Sequence, residues 1–159
     1  MKSITLAALA VFCAVAWAGP KDVPYPQGYR NWYHVKSMVI EQGHPLYGSF
    51  GGIHHLYANP KAMQGYKSGK FPDGSVIVFD LLEAQRADGA VTEGARKVAG
   101  VMHKNAKKYA ETGGWGFEGF GAGDPGQRVV GDQAAQACFG CHMPQKGRDF
   151  VFSTLRDKR

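Results

Sequence analysis

The stretch Ser75-Val76-Ile77-Val78-Phe79-Asp80-Leu81-Leu82 says most about the fold of this sequence. It is rich in β-branched and apolar residues and follows the turn sequence Pro72-Asp73-Gly74, so it predicts a β-strand that begins at the turn. Aromatic and β-branched residues also predict strands in three other segments, at residues 32–40, 53–58 and 115–120. Glycines weaken the last of these predictions. The chain is therefore expected to be rich in β-structure.

Signals for helices are fewer and shorter. Residues 60–67 predict a helix with Pro60 at its first position, and residues 133–137 predict another with Asp132 as its N-cap. Residues 98–109 fit a strand and a helix equally well. The pattern contains no set of four long amphipathic helices, which argues against a helical bundle.

Length and composition fit one globular domain. The chain has 159 residues, of which 44% are hydrophobic and 12% aromatic, enough to build a core. Its net charge of +6 could attract an acidic redox partner or an anion, or serve only solubility. There is no lysine- or arginine-rich run of the kind that binds nucleic acid, so no nucleic-acid partner is expected.

Residues 1–18 have the pattern of a signal peptide. Met1-Lys2 gives the positive start, residues 4–15 are almost all apolar, and Ala16-Trp17-Ala18 is a small-x-small cleavage site. The apolar stretch is too short to span a bilayer comfortably, so no membrane span is expected in the mature chain. We therefore expect export to the periplasm and a single mature domain over residues 19–159.

Two cysteines remain after this cleavage, because Cys13 lies within the signal. They belong to the string Cys138-Phe139-Gly140-Cys141-His142, a C-x-x-C-H sequence typical of haem c attachment. The two thiols would add to the haem vinyl groups as thioethers, and the histidine that follows would be the proximal ligand of iron. One covalent haem c is therefore predicted, with Cys138 and Cys141 as its anchors and His142 as the metal ligand.

Other uses of the two cysteines fit less well. A structural disulfide is common in an oxidising compartment, but this spacing points elsewhere, and a thioredoxin-like pair would need a βαβ setting early in the domain. Zinc would need a second pair of ligands with suitable spacing. The string Gly114-Trp115-Gly116-Phe117-Glu118-Gly119 matches G-x-G-x-x-G, yet it is strand-like and opens no helix, so we interpret it as chance.

The sequence around the motif resembles the cytochrome P-460 superfamily over nearly the whole mature chain. The resemblance rests on a series of short matches: Tyr29-Arg30-Asn31-Trp32, Phe50, Tyr57-Ala58-Asn59-Pro60, Gly69-Lys70-Phe71-Pro72-Asp73-Gly74-Ser75-Val76, Trp115-Gly116-Phe117, the C-x-x-C-H string and Asp149-Phe150-Val151-Phe152. It implies an α+β fold, predominantly an antiparallel β-sheet with a few short helices, and one haem c attached near the C-terminus. It also implies a homodimer.

One position separates the two branches of that superfamily. The hydroxylamine-oxidising enzymes carry, just after the strand pattern, a lysine bonded to the haem ring, and Phe79 occupies that position here. Those enzymes also place a carboxylate above the iron, from the segment that matches residues 99–102, which holds no acid here. Both departures are typical of the other branch, cytochrome c′-beta, and the chain is similar to the methanotroph type of that branch. We therefore expect a gas-binding haem protein more than an enzyme.

By this resemblance, Phe50 and Phe79 cap an open coordination site on the iron, opposite His142. Bound dioxygen carries partial negative charge and gains from a hydrogen-bond donor, whereas nitric oxide and carbon monoxide depend on one much less. An apolar cap should therefore favour those two gases, in nitric oxide binding, detoxification or sensing. Two alternatives stay open. The first is a hydroxylamine-oxidising enzyme, which needs a cross-link from some other residue; Lys67 and Lys70 are nearby in sequence but lie in the preceding helix and turn. The second is a six-coordinate electron carrier.

A sixth iron ligand would have to come from another histidine or a methionine. His54 and His55 are neighbours on a predicted strand, so their side chains point to opposite faces and at most one could reach the haem. We expect these two and the other histidines outside the motif to be surface or hydrogen-bonded residues: His34, His44 and His103. Core positions are expected for three methionines: Met38, Met63 and Met102.

Overall fold

A computed structural model describes residues 23–156, so the predicted signal peptide lies outside the described residues. The centre of the structure is one five-stranded antiparallel sheet in which the strands are neighbours in chain order. The strands are β1 (Tyr33–Ile40), β2 (Gly52–Ala58), β3 (Val76–Ala87), β4 (Ala90–Lys104) and β5 (Trp115–Gly121). The predicted α+β class, with a predominantly antiparallel sheet and a few short helices, is confirmed.

Short helices connect the first strands. α1 (Tyr47–Phe50) precedes β2, and α2 (Pro60–Ser68) joins β2 to β3. Pro60 begins α2 as predicted, and the Asn59 side chain caps the helix by accepting a hydrogen bond from an amide of its first turn at 2.8 Å. The same side-chain oxygen accepts from the Val76 amide at 3.1 Å, which ties the start of α2 to the start of β3. Within residues 23–156, no helix is long and apolar enough to cross a membrane.

The hairpin of β3 and β4 is longer than the sequence predicted. β3 continues past Leu82 to Ala87, and β4 begins at Ala90. The two residues of the turn, Asp88-Gly89, have φ angles of 52° and 75°. This left-handed backbone is what a two-residue hairpin turn requires, and Asp-Gly is a sequence signal for it. The ambiguous segment at residues 98–109 is a strand up to Lys104.

The strand pairing shows which residues share a face of the sheet, because successive residues of a strand point to opposite faces. Ile77 and Phe79 point to the face that we call the Phe79 face, and Val78 and Asp80 point to the other, the Asp80 face. The core cluster of the Phe79 face includes residues from α2 and from the C-terminal segment: Val35, Ala58, Ala62, Phe71, Ile77, Trp115, Phe117 and Val151. A second cluster covers the Asp80 face: Val23, Tyr29, Val78, Ala99, Val101, Tyr109 and Phe120.

The C-x-x-C-H string lies in a run of irregular helical turns near the C-terminus. A 3₁₀ turn (Gly131–Gln133) leads to a wide π-helical stretch (Ala135–Phe139), then to α3 (Gly140–His142) and a final 3₁₀ segment (Met143–Arg148). Asp132 lies inside the first turn and makes no capping hydrogen bond, so its predicted N-cap role is wrong. The turn begins one residue before Asp132, so Asp132 lies inside the turn and not at the flanking position from which an N-cap side chain reaches the first amides.

Candidate functional site

The two motif cysteines are free thiols in neighbouring parts of this helical run. Cys138 is half-buried and packs against the core cluster of the Phe79 face, whereas Cys141 is exposed. Because they are three residues apart on a helical backbone, their thiols project to the same side of it. Burial raises the pKa of the Cys138 thiol to about 11, with smaller contributions from Glu118 and Cys141. A thioredoxin-type pair needs the opposite, a lowered thiol pKa, so the geometry does not favour that alternative.

A backbone carbonyl orients the motif histidine. Nδ1 of His142 lies 2.7 Å from the Phe150 carbonyl oxygen, and because a carbonyl can only accept, Nδ1 carries the proton. Nε2 is then the nitrogen available to a metal, which is the usual arrangement of a ligand histidine. Aromatic rings flank the imidazole, with centroid distances of 5.0 Å to Phe117 and 4.9 Å to Phe152. Burial lowers the pKa of His142, which favours the neutral imidazole that binds metals.

Phe79 and Phe50, the two predicted cap residues, are in contact. Phe79 lies on the same sheet face as Phe117, in the row next to the one formed by Ile77, Met102 and Phe117. Phe50 comes from α1 and packs edge-on against Phe79, with ring centroids 5.7 Å apart. Phe79, its contact Phe50 and the core cluster on which Cys138 packs thus lie on one side of the sheet.

The position opposite Phe79 on β4 is Gly100, which adds no side chain to this face. A side-chain carbon at Gly100 would lie 3.6 Å from the Phe79 side chain. The neighbouring β4 residues on the same face are Val98 and Met102, so this part of the strand offers no carboxylate. The buried carboxylates among the described residues belong to the Asp80 face: Asp80 and Glu118.

His54 does not match its prediction as a surface or hydrogen-bonded histidine. It is 6% exposed, and its Nδ1 is buried with no hydrogen-bond partner among the described residues. Its ring lies against Phe79, with centroids 4.5 Å apart and 36° between the ring planes. Leu81 lies opposite His54 on β3 and Phe79 packs on its ring, so the side chain has packed neighbours where a surface residue would have water. Burial lowers the pKa of His54 to about 4, with a smaller contribution from His55, so the imidazole is neutral near pH 7.

The other histidines agree with their prediction in most cases. His55 points to the Asp80 face, as strand alternation predicts, and its Nδ1 lies 2.6 Å from the Ser37 hydroxyl. His34 bonds to the same hydroxyl at 2.8 Å, and His44 is exposed. His103 is the second exception, because it is half-buried with an Nδ1 that has no partner within residues 23–156.

Two of the three methionine predictions hold. Met63 and Met102 pack against the core cluster of the Phe79 face, as expected. Met38 is 47% exposed, so its predicted core position is wrong. Met38 belongs to β1, an edge strand of the sheet, so among the described residues it has a neighbouring strand on one side only.

Comparison with known protein families agrees with this geometry. The family model for Cytochrome P460 matches residues 26–153, which is most of the chain. The chain belongs to the cytochrome P460 family. A comparison with curated proteins found no match. Family membership confirms the resemblance drawn from the sequence at the level of the superfamily, and it implies a haem cofactor.

The residues of the C-x-x-C-H segment fit a haem. Cys138 and Cys141 are free thiols on one side of a helical run, and the hydrogen bond at Nδ1 of His142 leaves Nε2 for iron. Large apolar rings are also left partly uncovered nearby, with Phe50 40% and Phe152 52% exposed. Exposed apolar surface of this kind marks a contact site, and a flat apolar macrocycle would cover it.

The sequence did not reveal the residues that support His142. Phe117 and Phe152 carried part of the family resemblance, but no spacing rule pointed to their contact with the imidazole. The carbonyl of Phe150 could not be identified at all, because every residue has one. Strand alternation within β5 could have placed Phe117 on the same face as Trp115, but its position relative to Phe79 depends on the register of β3, β4 and β5.

Proposed function

We propose that this chain is a periplasmic c-type cytochrome of the c′-beta kind, with one covalent haem c, that binds nitric oxide and carbon monoxide. The haem would supply an iron atom with an open coordination site for a diatomic gas. The observation that carries the proposal is the contact of Phe50 with Phe79 on the sheet face shared with the C-x-x-C-H segment. The first of these rings belongs to a four-residue helix and the second to the central strand.

The anchoring role rests on Cys138, Cys141 and His142. Both cysteines are free thiols, so each is available to form a thioether with the haem. Only one nitrogen of His142 is committed, to the Phe150 carbonyl, so the other can bind the metal. These three residues would hold the haem against the Phe79 face.

The cap favours gas binding over hydroxylamine oxidation. A phenyl ring at position 79 has no amine with which to form the cross-link of the hydroxylamine-oxidising branch. Gly100 stands opposite Phe79, and Val98 and Met102 flank it on that face, so β4 offers no proton acceptor beside the cap. An enzyme of that branch would need both features.

The same cap should disfavour dioxygen. Phe50 and Phe79 have no hydrogen-bond donor with which to stabilise the partial negative charge of bound dioxygen. His54 is in contact with the cap through the Phe79 ring, so the two rings proposed to face the gas remain phenyl rings. The lack of a hydrogen-bond donor would weaken the binding of nitric oxide and carbon monoxide only slightly.

A six-coordinate electron carrier receives no support from Met63 or Met102. Met63 and Met102 pack into the core cluster of the Phe79 face, which accounts for both side chains without a metal.

We further propose a homodimer, a role in nitric oxide detoxification or sensing, and an acidic redox partner attracted by the net charge of +6.

Substitution of Phe79 tests the cap directly. Ligand entry would require the phenyl ring to leave its contacts with Phe50 and His54, and each aromatic contact contributes about 0.5–1.5 kcal/mol. The Phe79→Val variant should therefore bind carbon monoxide to the ferrous protein on the order of tenfold faster. Stopped-flow mixing measures this rate. Tyr33→Val is the matched control, because Tyr33 is an exposed aromatic residue of the edge strand β1.

Two results would contradict the proposal. An unchanged association rate in Phe79→Val would show that this ring does not control access to the iron. A digest that finds haem bonded to a lysine as well as to the two cysteines would restore the hydroxylamine-oxidising alternative. The mass of the intact protein should instead show one haem held by two thioethers.

A further inference from the structure

The segment that follows the helical run has an unusual backbone. Asp149 and Phe150 both have positive φ angles, of 50° and 65°. Residues other than glycine rarely adopt this left-handed conformation, which costs on the order of 1–2 kcal/mol for each of them. Two such residues in succession persist only where the surrounding structure holds them in place.

Contacts from distant parts of the chain hold Asp149 on three sides. Its Oδ1 accepts a hydrogen bond from Nζ of Lys104 at 2.6 Å, and its Oδ2 accepts from the Phe71 amide at 2.9 Å. Its backbone carbonyl accepts from Nε1 of Trp115 at 2.8 Å. These groups belong to β4, to the loop between α2 and β3 and to β5, so the position of Asp149 is fixed relative to the sheet.

Lys104 is itself held tightly. It is 8% exposed, and its Nζ also donates to the Gly113 carbonyl at 3.1 Å. The ammonium lies over the Trp115 ring, 5.0 Å from the centroid. A buried lysine with two acceptors and an aromatic face is a rigid partner for the Asp149 carboxylate.

The contacts of Asp149 affect His142 through the residue that follows Asp149. The residue after Asp149 is Phe150, whose carbonyl accepts the hydrogen bond from Nδ1 of His142. The Phe150 ring is packed so closely that a side-chain carbon at Gly113 would lie 2.3 Å from it, and it also contacts the Phe139 ring at 5.2 Å. The direction of the Phe150 carbonyl is therefore set by the hydrogen bonds to Asp149 and by the packing of the Phe150 ring.

We propose that the buried Lys104–Asp149 pair is a positioning device for His142, which sets the strength of the Nδ1–H···O=C bond and hence the donor strength of Nε2 toward iron. The inference rests on the proposed function, since it needs a haem ligated by His142. A stronger bond at Nδ1 makes the imidazole a stronger ligand. A stronger ligand stabilises ferric iron, so the pair would keep the reduction potential low and the iron–histidine bond strong.

The test uses two variants whose charge changes are opposite. Asp149→Asn removes a negative charge and Lys104→Met removes a positive one, so a purely electrostatic role predicts potential shifts of opposite sign. A positioning role predicts that both variants raise the potential and lower the frequency of the iron–histidine stretching band in the resonance Raman spectrum of the ferrous protein. Trp115→Phe, which removes one hydrogen bond to the Asp149 carbonyl, should give a smaller shift of the same sign and serves if the other variants fold poorly.

The matched control is the other well-buried ion pair described in this chain, Asp80–Arg96, on the Asp80 face. Arg96→Met should destabilise the fold but leave the iron–histidine band where it is in the wild type. If the wild type carries covalent haem and shows the band, but none of the Lys104, Asp149 and Trp115 variants moves it, the positioning role is refuted. If both charge variants shift the potential in opposite directions with no change of the band, the role is electrostatic and the proposal fails. A wild type without covalent haem would instead refute the proposed function.

Discussion

Replacing His54 with phenylalanine should make the protein less sensitive to mild acid. The folded chain holds the His54 imidazole neutral, because burial lowers its pKa to about 4 from an ordinary value of 6.5. In the unfolded chain the same ring takes up a proton at its ordinary pKa. Protons therefore favour unfolding, and the contribution of His54 to stability is present above about pH 6.5 and is lost as the pH falls toward 4.

The two pKa values set the size of the effect. Because the pKa of His54 differs between the folded and the unfolded chain, the free energy of unfolding should fall by about 2.5 kcal/mol as the pH is lowered from about 7.5 to about 4.5. Phenylalanine keeps the ring that packs on Phe79 and has no proton to bind. It is larger than histidine, and overpacking costs about 1–3 kcal/mol, but that cost is the same at both pH values. The difference between the two pH values therefore isolates the titration of His54.

Urea unfolding followed by far-UV circular dichroism at the two pH values measures this difference. We expect the wild type to lose about 2–3 kcal/mol more than His54→Phe does. His44→Phe is the control, because His44 is exposed and the variant should lose as much stability as the wild type. If His54→Phe loses as much as the wild type, the imidazole is not held neutral by burial, and the description of this pocket is refuted.

Two further substitutions test the anchor and the core. Cys141→Ser should leave a single thioether through Cys138, so the pyridine haemochrome band should move to longer wavelength because one vinyl group stays conjugated; an unchanged band would contradict the anchoring role. Asp80→Asn should destabilise the fold by about 3 kcal/mol in urea unfolding, because it leaves the Arg96 guanidinium, now 2.5 Å from Oδ1 of Asp80, without its carboxylate. A loss below about 1 kcal/mol would show that this pair behaves like a solvent-exposed one.

The parts of the fold that the sequence predicted are those with a strong local pattern. β1, β2, β5 and the start of β3 follow from aromatic and β-branched runs, and α2 follows from Pro60 at its first position. The far ends of β3 and β4 were not predicted, because most of their residues past Leu82 are exposed and polar and carry no alternating apolar pattern. Asp132 failed as a cap because the backbone entered the turn one residue early.

Only those residues of the candidate site that are consecutive in the sequence could be predicted. Cys138, Cys141 and His142 form one string, whereas the support of His142 is assembled from contacts across the chain. Lys104 and Asp149 are 45 residues apart in sequence, and no local rule pairs them. The burial of His54 likewise depends on the packing of Phe79 from the next strand, which strand alternation alone does not reveal.

The absorption spectrum of the purified ferrous protein, before and after addition of nitric oxide, tests the proposed open and apolar site most directly. We expect an ordinary high-spin c-type spectrum that shifts when nitric oxide is added. Brief exposure to dioxygen should not produce the spectrum of a stable oxygen complex. A strongly red-shifted Soret band would mean a modified haem of the hydroxylamine-oxidising kind. A low-spin spectrum that nitric oxide leaves unchanged would mean that the iron has a sixth ligand, and either result would contradict the proposed function.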